Sequence, residues 1–423
     1  MEKIKISGIK REVYHEKLNN GLDVYMLNFK SKNYYISMTS RFGSSITFVK
    51  DLKTNKKVQI KTGTAHFLEH QLFEEEKINA FTRLANLGAN ANAYTSYDNT
   101  SYLVLGDKNF KEVLEYTLDF IQNPYFIEKN IEIERKIIEE EIDLNKDDYF
   151  SLALSALNNN LYKKDPRKDL ITGSVLDIQS IKAHDLERAY KYFYNPENMF
   201  LVITGNFYPL EAIGIIRENQ KKKKFSSSKK ISITKLKEPV NINKKNEIIY
   251  KDVSTPIISV GYKISKSVFK EIKEKDLNYL IDAFMFLTFG KSSDLNDLLI
   301  SENLISENLD FSYEFVSNLI VLTITIRSKY VSEVINQIDK ALVSERYCDL
   351  DLERYKRVKI AEYISNFDDV ILVNDLIVND LVGGKINTNY LEKIKSLSVK
   401  NLNKLANFMK NDSKSVVVIQ KKV

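Results

Sequence analysis

The chain has 423 residues, 43% hydrophobic and 28% charged, with 63 basic and 57 acidic residues and a formal net charge of +6. That length predicts two domains of about 200 residues, and the composition excludes a disordered or fibrous chain. The charge is mild, no run of about 20 apolar residues is present to span a membrane, and the single cysteine, Cys348, excludes an internal disulfide.

In chain order, the opening "MEKIKISGIKREVYHEKL" lacks the apolar stretch of a secretory signal. With the lone cysteine, this leads us to expect a cytoplasmic, reducing setting. "GLDVYMLNF" and "NYYISMTSRFG" read as β-strands, with "NNG" as a turn before the first. "GTAHFLEHQLF", residues 63 to 73, reads as a helix capped by Thr64, with Phe67, Leu68, Leu72 and Phe73 as its apolar contacts. "ANANAYTSYDNTSYLVLGD" reads as two strands around a turn at Asp98 and Asn99. Helices dominate 110–165. The segment 218–239 is polar and lysine-rich and reads as a linker, within which "ISITKL" is a candidate strand leading into the second half. Its "KKKK" run at 221–224 is a solvated stretch. Basic residues are not gathered on a face or interleaved with stacking aromatics, so nucleic-acid binding is not expected.

An internal repeat is visible. "IKAHDLERAYKYFYNPENMFLVITGNF" (181–207) aligns without gaps on "LSVKNLNKLANFMKNDSKSVVVIQKKV" (397–423) at an offset of 216. Each gives a helix with Leu at one place (Leu186, Leu402), Asn in a turn (Asn195, Asn411) and an apolar strand. The reading is two similar halves. Strands and helices in blocks, without strict alternation, give an α+β class with helices packed on one face of an antiparallel sheet in each half. The expected organisation is an N-terminal domain at 1–217, a linker at 218–239 and a C-terminal domain at 240–423.

The chain has 4 histidines, at positions 15, 66, 70 and 184. On a helix His66 and His70 lie one turn apart on one face, which suits two imidazoles gripping one metal ion. Glu69 shares that face in H-x-x-E-H order and can reach a metal-activated water. Along "NIEIERKIIEEEIDL" (130–144) and the turn before it, Ile127, Ile131, Ile137, Ile138 and Ile142 form one apolar stripe. Glu134 and Glu141, two turns apart, fall within it, while Glu139 and Glu140 fall outside with Arg135 and Lys136 as partners four residues back. Two core-facing carboxylates are costly unless compensated. Zinc held by His66, His70 and Glu141 would compensate them, with Glu134 as an auxiliary carboxylate. Two His, one Glu and an open position suit catalysis: Glu69 would take a proton from water attacking a peptide carbonyl and pass it to the leaving amine. The structural alternatives are two histidines bonded locally on a helix, and two glutamates paired with core-facing Lys or Arg. His15 and His184 read as surface or capping residues, Cys348 as a packing residue, and "DAFMFLTFG" as core of the second half.

These motifs resemble the pitrilysin/insulinase family of zinc metallopeptidases, and its small mitochondrial-processing-peptidase-like members in particular. The likeness runs through "KLNNGLDVYML", "HFLEH", "GANANAYTSYDNTSYLV", "ERKIIEEEI" and "YNPENMFLVITGNF", covering about residues 15–210, and the second half more loosely. It implies two homologous α+β halves, of which only the first holds metal. It implies one Zn2+ per chain on His66, His70 and Glu141, with Glu69 and Glu134 as the catalytic carboxylates. It also implies that an extended peptide adds to an edge strand at Asn92, Ala93 and Tyr94. One departure is clear. Self-sufficient members carry an Arg and, seven residues later, a Tyr in the second half. Here those positions fall on Leu299 or Ile300 and on Ser306, with Tyr313 out of register. The expectation is therefore the catalytic subunit of a heterodimer that processes leader or precursor peptides, with a related zinc-free partner supplying the Arg/Tyr pair. The alternative is a non-catalytic peptide-binding or scaffold subunit, against which the complete His66, Glu69, His70 and Glu141 set argues.

Overall fold

The computed structural model describes every residue except 226–230, 235, 345, 408, 410–412 and 423. The first stretch forms β1 (Glu2–Lys5), β2 (Glu12–Lys17), β3 (Asp23–Asn28), β4 (Tyr34–Ser40), β5 (Phe48–Asp51), β6 (Lys57–Gln59), α1 (Thr64–Leu72), α2 (Ala80–Asn86), β7 (Ala89–Thr95), β8 (Thr100–Gly106), α3 (Phe110–Gln122) and α4 (Glu128–Asn145). Then come α5 (Tyr149–Leu161), α6 (Val175–Ser180), α7 (Ala183–Phe193), β9 (Met199–Gly205), α8 (Pro209–Lys221) and β10 (Ile231–Ile233). The rest forms β11 (Asn246–Tyr250), β12 (Ile257–Ser265), α9 (Glu274–Phe289), α10 (Asp294–Ser301), β13 (Asp310–Val316), β14 (Leu319–Arg327), α11 (Val331–Ser344), α12 (Asp349–Asn366), α13 (Val370–Val382), α14 (Tyr390–Ser396), α15 (Val399–Ala406) and β15 (Lys414–Gln420).

Two compact units result. Unit 1 gathers residues 1–142, 170–235 and 363–389; unit 2 gathers 143–169, 236–362 and 390–423. Unit 1 has a seven-stranded sheet in the order β1-β2-β3-β9-β4-β8-β7, and unit 2 a five-stranded sheet in the order β11-β15-β12-β14-β13. The repeat seen in sequence reappears as topology. In each sheet one parallel pair (β3 with β9, β11 with β15) is followed by three antiparallel neighbours in corresponding order. Leu186 and Leu402 are both fully buried on the helix preceding the closing strand. The matching turn residue Asn411 lies outside the described residues.

Side chains of the central strands alternate between two faces, and both faces are buried. On β4, Ile36 and Met38 enter the main core of unit 1 with α1, α3 and α7 residues, whereas Ser37 is equally buried on the other face. That second face is covered by α13, a helix from late in the chain. The Ser37 hydroxyl donates to Asn374 Oδ1 (2.6 Å), and Thr204 Oγ1 donates to the Val370 carbonyl (2.6 Å). Unit 2 takes α5 from early in the chain in the same way. Leu157 and Leu161 of α5 pack with Val321 and Val417, and Gly261 on β12 makes the room, since a Cβ there would meet Leu161 Cδ1 at 2.6 Å. Chain order alone therefore does not delimit the units: each sheet is covered by one helix from the other half of the sequence. One buried carboxylate in unit 2 is paired several times over. Glu238 accepts N–H bonds from Lys163, Lys164 and Asp165 (2.7–2.9 Å) and an ion pair from Lys263, both side chains being fully enclosed.

Several local expectations are corrected. β10 pairs with β5 in unit 1 rather than leading into the second half. Cys348 is exposed, not packed. His15 is largely covered by stacking on Tyr25, with Glu2 and Asp23 at its two ring nitrogens (2.6 and 2.9 Å). As expected, His184 is exposed, and Phe284, Met285, Leu287 and Phe289 are core.

Candidate metal centre

Helix α1 begins at Gly63, whose φ of +82° suits glycine and whose added Cβ would strike the Thr172 carbonyl at 2.5 Å. Thr64 does not cap it; its hydroxyl donates back to the Lys61 carbonyl (2.7 Å). Phe67, Leu68, Leu72 and Phe73 are buried, which seats the helix against the sheet. Its other face carries His66, Glu69 and His70, with ring centroids of the two imidazoles 4.7 Å apart.

α4 lies alongside, fixed by Arg135. This residue is not on a solvated face as its charge suggested. It is buried, donates to the Ile178 and Ile181 carbonyls (3.0 Å for the latter), and lies 5.7 Å over the Phe67 ring. Ile131, Ile138 and Ile142 are core, but Ile127 and Ile137 are exposed, 42% and 44%. The apolar stripe is narrower than the periodicity implied. Glu134 faces inward and accepts from His70 Nδ1 (3.1 Å). Glu141 is more open, its side chain 38% exposed, with Oε2 3.6 Å from His66 Nε2 and 3.5 Å from His70 Nε2.

His66, His70 and Glu141 offer three ligand atoms within 4.8 Å of one another. Ligands 2.0–2.2 Å from a tetrahedral zinc ion lie about 3.3–3.6 Å apart, so the 3.6 and 3.5 Å separations of Glu141 from the two imidazoles fit with little movement. Charge points the same way. Glu69, Glu134 and Glu141 place three carboxylates around two imidazoles, a set that favours a divalent cation.

Burial would lower His70, but its hydrogen bonds to Glu134 and Glu141, with Glu69 nearby, overturn this and lift it to about 9. Burial, then the neighbouring His70, lowers His66 to about 4, Glu141 opposing. Glu141 is held down chiefly by its bond to His70. Burial raises Glu69, partly offset by a hydrogen bond from Thr95.

Thr95, which sequence reasoning passed over, ends edge strand β7; its hydroxyl donates to Glu69 Oε2 at 2.5 Å. The Asn92, Ala93 and Tyr94 positions lie on this strand beside α1. The Ala93 N–H is met by the Asn92 side chain (2.8 Å). In unit 2, Leu299 is fully buried, Ile300 exposed, and the Tyr313 hydroxyl donates to Asp282 (3.1 Å). A cavity of about 580 Å³ lined by Glu16, Asn20, Arg217 and Gln220 among others shares no residue with the cluster. No described helix is long and apolar enough to cross a membrane.

Residues 58–174 match the family profile described as Insulinase (Peptidase family M16), and 180–361 that described as Peptidase M16 inactive domain. The chain is 36% identical over 316 residues to an uncharacterized zinc protease, YmfH, of Bacillus subtilis, covering 73% of each. It is 30% identical over 151 residues to the mitochondrial-processing peptidase subunit beta of Caenorhabditis elegans, covering 34% of this chain and 32% of that one. A solved structure from Alicyclobacillus acidocaldarius described as M16-like superposes with a TM-score of 0.90 at 22% identity, over 98% of this chain and 99% of the other, which supports the fold.

Proposed function

Because the chain belongs to peptidase family M16, the insulinase family, we propose that it is a zinc-dependent endopeptidase acting on short or unfolded peptides. The observation that carries this reading is the convergence of His66, His70 and Glu141 within 4.8 Å, with Glu69 tied to edge strand β7 through Thr95. His66, His70 and Glu141 would hold the metal, which when bound supplies Lewis acidity toward a carbonyl and toward water.

The chain's own residues do the rest. Glu134 orients His70 by accepting from Nδ1, leaving Nε2 for the metal. Glu69 is buried and its pKa is raised, which suits a group that takes a proton from the attacking water and returns it to the leaving amine. Strand β7 offers its free edge to an extended peptide at Asn92, Ala93 and Tyr94, and the Asn92 side chain now on the Ala93 N–H would give way to a backbone carbonyl. Backbone pairing demands an unfolded segment and little particular sequence, which suits leader or precursor peptides.

The same reading makes the chain the catalytic member of a heterodimer in the cytoplasm. Buried Leu299 and exposed Ile300 stand where an Arg is expected, Ser306 where a Tyr is expected, and Tyr313 is engaged with Asp282. A related zinc-free subunit would supply that pair. Incubating the zinc-supplied chain with unstructured peptides and with a folded protein tests the proposal. Internal cuts in the peptides alone, stopped by chelator, are expected, with or only after addition of the related subunit. No cleavage in either preparation would overturn the peptidase reading. A fully active homodimer would overturn the heterodimer.

A further inference from the structure

Residues 60–63 alone separate α1 from the β5–β6 hairpin, a short ribbon of unit 1. Val49 is fully buried and Ile60 nearly so, which seats the ribbon on the core. Its turn is fixed from within. Asp51 is buried and accepts from the Lys53 and Thr54 N–H groups (2.9 Å each) and from the Tyr192 hydroxyl (3.3 Å). The outer side is basic: Lys50, Lys53, Lys56 and Lys57 are all exposed. Among the described residues none of the four is ion-paired, whereas Lys61 beyond the ribbon is held by Asp185 (2.7 Å). Lys50 and Lys57 stand directly opposite each other across the two strands, a like-charge pair that weakens the ribbon. At the turn, Leu52 is 52% exposed between Lys50 and Lys53. The fold thus gathers basic residues that the sequence led us to expect scattered.

We propose that the β5–β6 hairpin docks the protein on an anionic phospholipid surface, with the four lysines among the headgroups and Leu52 in the interface below them. Three observations select this partner. The charges are lysine ammoniums spread over both strands and the turn, without an arginine fork, which suits many headgroups better than one bound phosphate. The bare apolar residue is at the tip, where a bilayer interface takes it up and a nucleic acid has no place for it. Phe48, the one aromatic ring of the ribbon, lies under Lys57 Nζ, 4.0 Å from its centroid, so no ring is bare to stack on bases. Each lysine near an anionic leaflet strengthens partitioning about fivefold, an attraction that salt screens over about 10 Å at 0.1 M. The short link to α1 holds the metal centre close to that surface, which brings peptides lying on a membrane within its reach. Docking itself does not depend on the peptidase reading.

The test sediments the full chain with vesicles of phosphatidylglycerol and phosphatidylcholine in equal parts, and with vesicles of phosphatidylcholine alone. The chain is expected to pellet with the first and not the second, and to come off as salt is raised. Lys50→Gln with Lys57→Gln should weaken partitioning about 25-fold. Leu52→Asn should weaken it about tenfold without changing the salt dependence. Lys111→Gln with Lys129→Gln makes the same charge change at exposed places on α3 and α4, and should cost less than about threefold. All these positions are exposed, so the substitutions leave the core intact, which circular dichroism checks. No binding to the anionic vesicles, equal binding to the neutral ones, or equal losses in the two lysine pairs would overturn the proposal. So would a labelled single-stranded oligonucleotide that binds more tightly than the vesicles and is released by the Lys50 and Lys57 changes, since the ribbon would then serve nucleic acid. The readout needs no turnover, so it stands or falls apart from the peptidase reading, which the cleavage assay decides.

Discussion

Replacing Glu134 by Gln isolates the group behind the metal ligands. Glu134 Oε2 lies 3.1 Å from His70 Nδ1, and its side chain is 10% exposed. Gln keeps an acceptor of the same reach, so the contact survives while the charge is lost. A hydrogen bond to a charged group contributes about 1.5–3 kcal/mol and a neutral one about 0.5–1.5, a loss of about 1–2 kcal/mol. Partners behind a metal-ligating His typically alter affinity by about 10–100-fold, or about 1.4–2.8 kcal/mol, an independent figure that overlaps the first. Zinc titrated against a chromophoric chelator at neutral pH should therefore bind about 10–100-fold more weakly to Glu134→Gln. Glu139→Gln on the same helix, off the ligand face, should leave it unchanged. An affinity within threefold of wild type for Glu134→Gln, with the fold intact by circular dichroism, would refute the reasoning.

Thr95→Val removes the hydroxyl that holds Glu69. Steady-state cleavage should show kcat lowered about 10–100-fold with KM little changed, and Thr95→Ser should restore it. Lys263→Met leaves Glu238 as a buried charge without its cation. The expected cost of about 3–5 kcal/mol lowers the Tm of a unit this size by about 6–20 °C in calorimetry, and Lys263→Met with Glu238→Gln should recover part of it. Asp380, which accepts from the Asn387 N–H, is raised by burial from 3.8 to about 6. The folded state therefore favours its protonated form. Stability from this group is present below about 4 and lost as pH rises through about 6. Asp380→Asn should be more stable than wild type at pH 7.5 by up to about 3 kcal/mol in urea unfolding, with the gap closing toward pH 4.

Helix α1, the hairpin after it and the repeat of the two halves were legible because each rests on local spacing. His66, Glu69 and His70 share a face by helical geometry alone, and Glu141 stands out as a carboxylate in an apolar stripe. What spacing does not carry is destination. The periodicity of α5 and α13 predicts helices with a buried face but not which sheet each covers, and both cover the sheet of the other half. Arg135 reads as a surface charge because, beside Glu132 three residues back, what buries it is bonding to the backbone carbonyls of Ile178 and Ile181, which no side-chain pattern announces. Ile137 falls in the periodic stripe yet stays exposed, because the buried face of α4 is narrower than the stripe and is filled by Ile131, Ile138 and Ile142. Thr95 is found only by folding β7 against α1, 26 positions from Glu69 in sequence.

The central claim is that His66, His70 and Glu141 hold zinc while Glu69 moves the proton. Peptide cleavage and bound zinc, measured on the same preparations of wild type and Glu69→Gln, test it directly. The account predicts one zinc per chain in both, and cleavage slower by about 10²–10⁴ in the variant. A variant that cuts within threefold of wild type, or a wild type that binds no zinc, would contradict it.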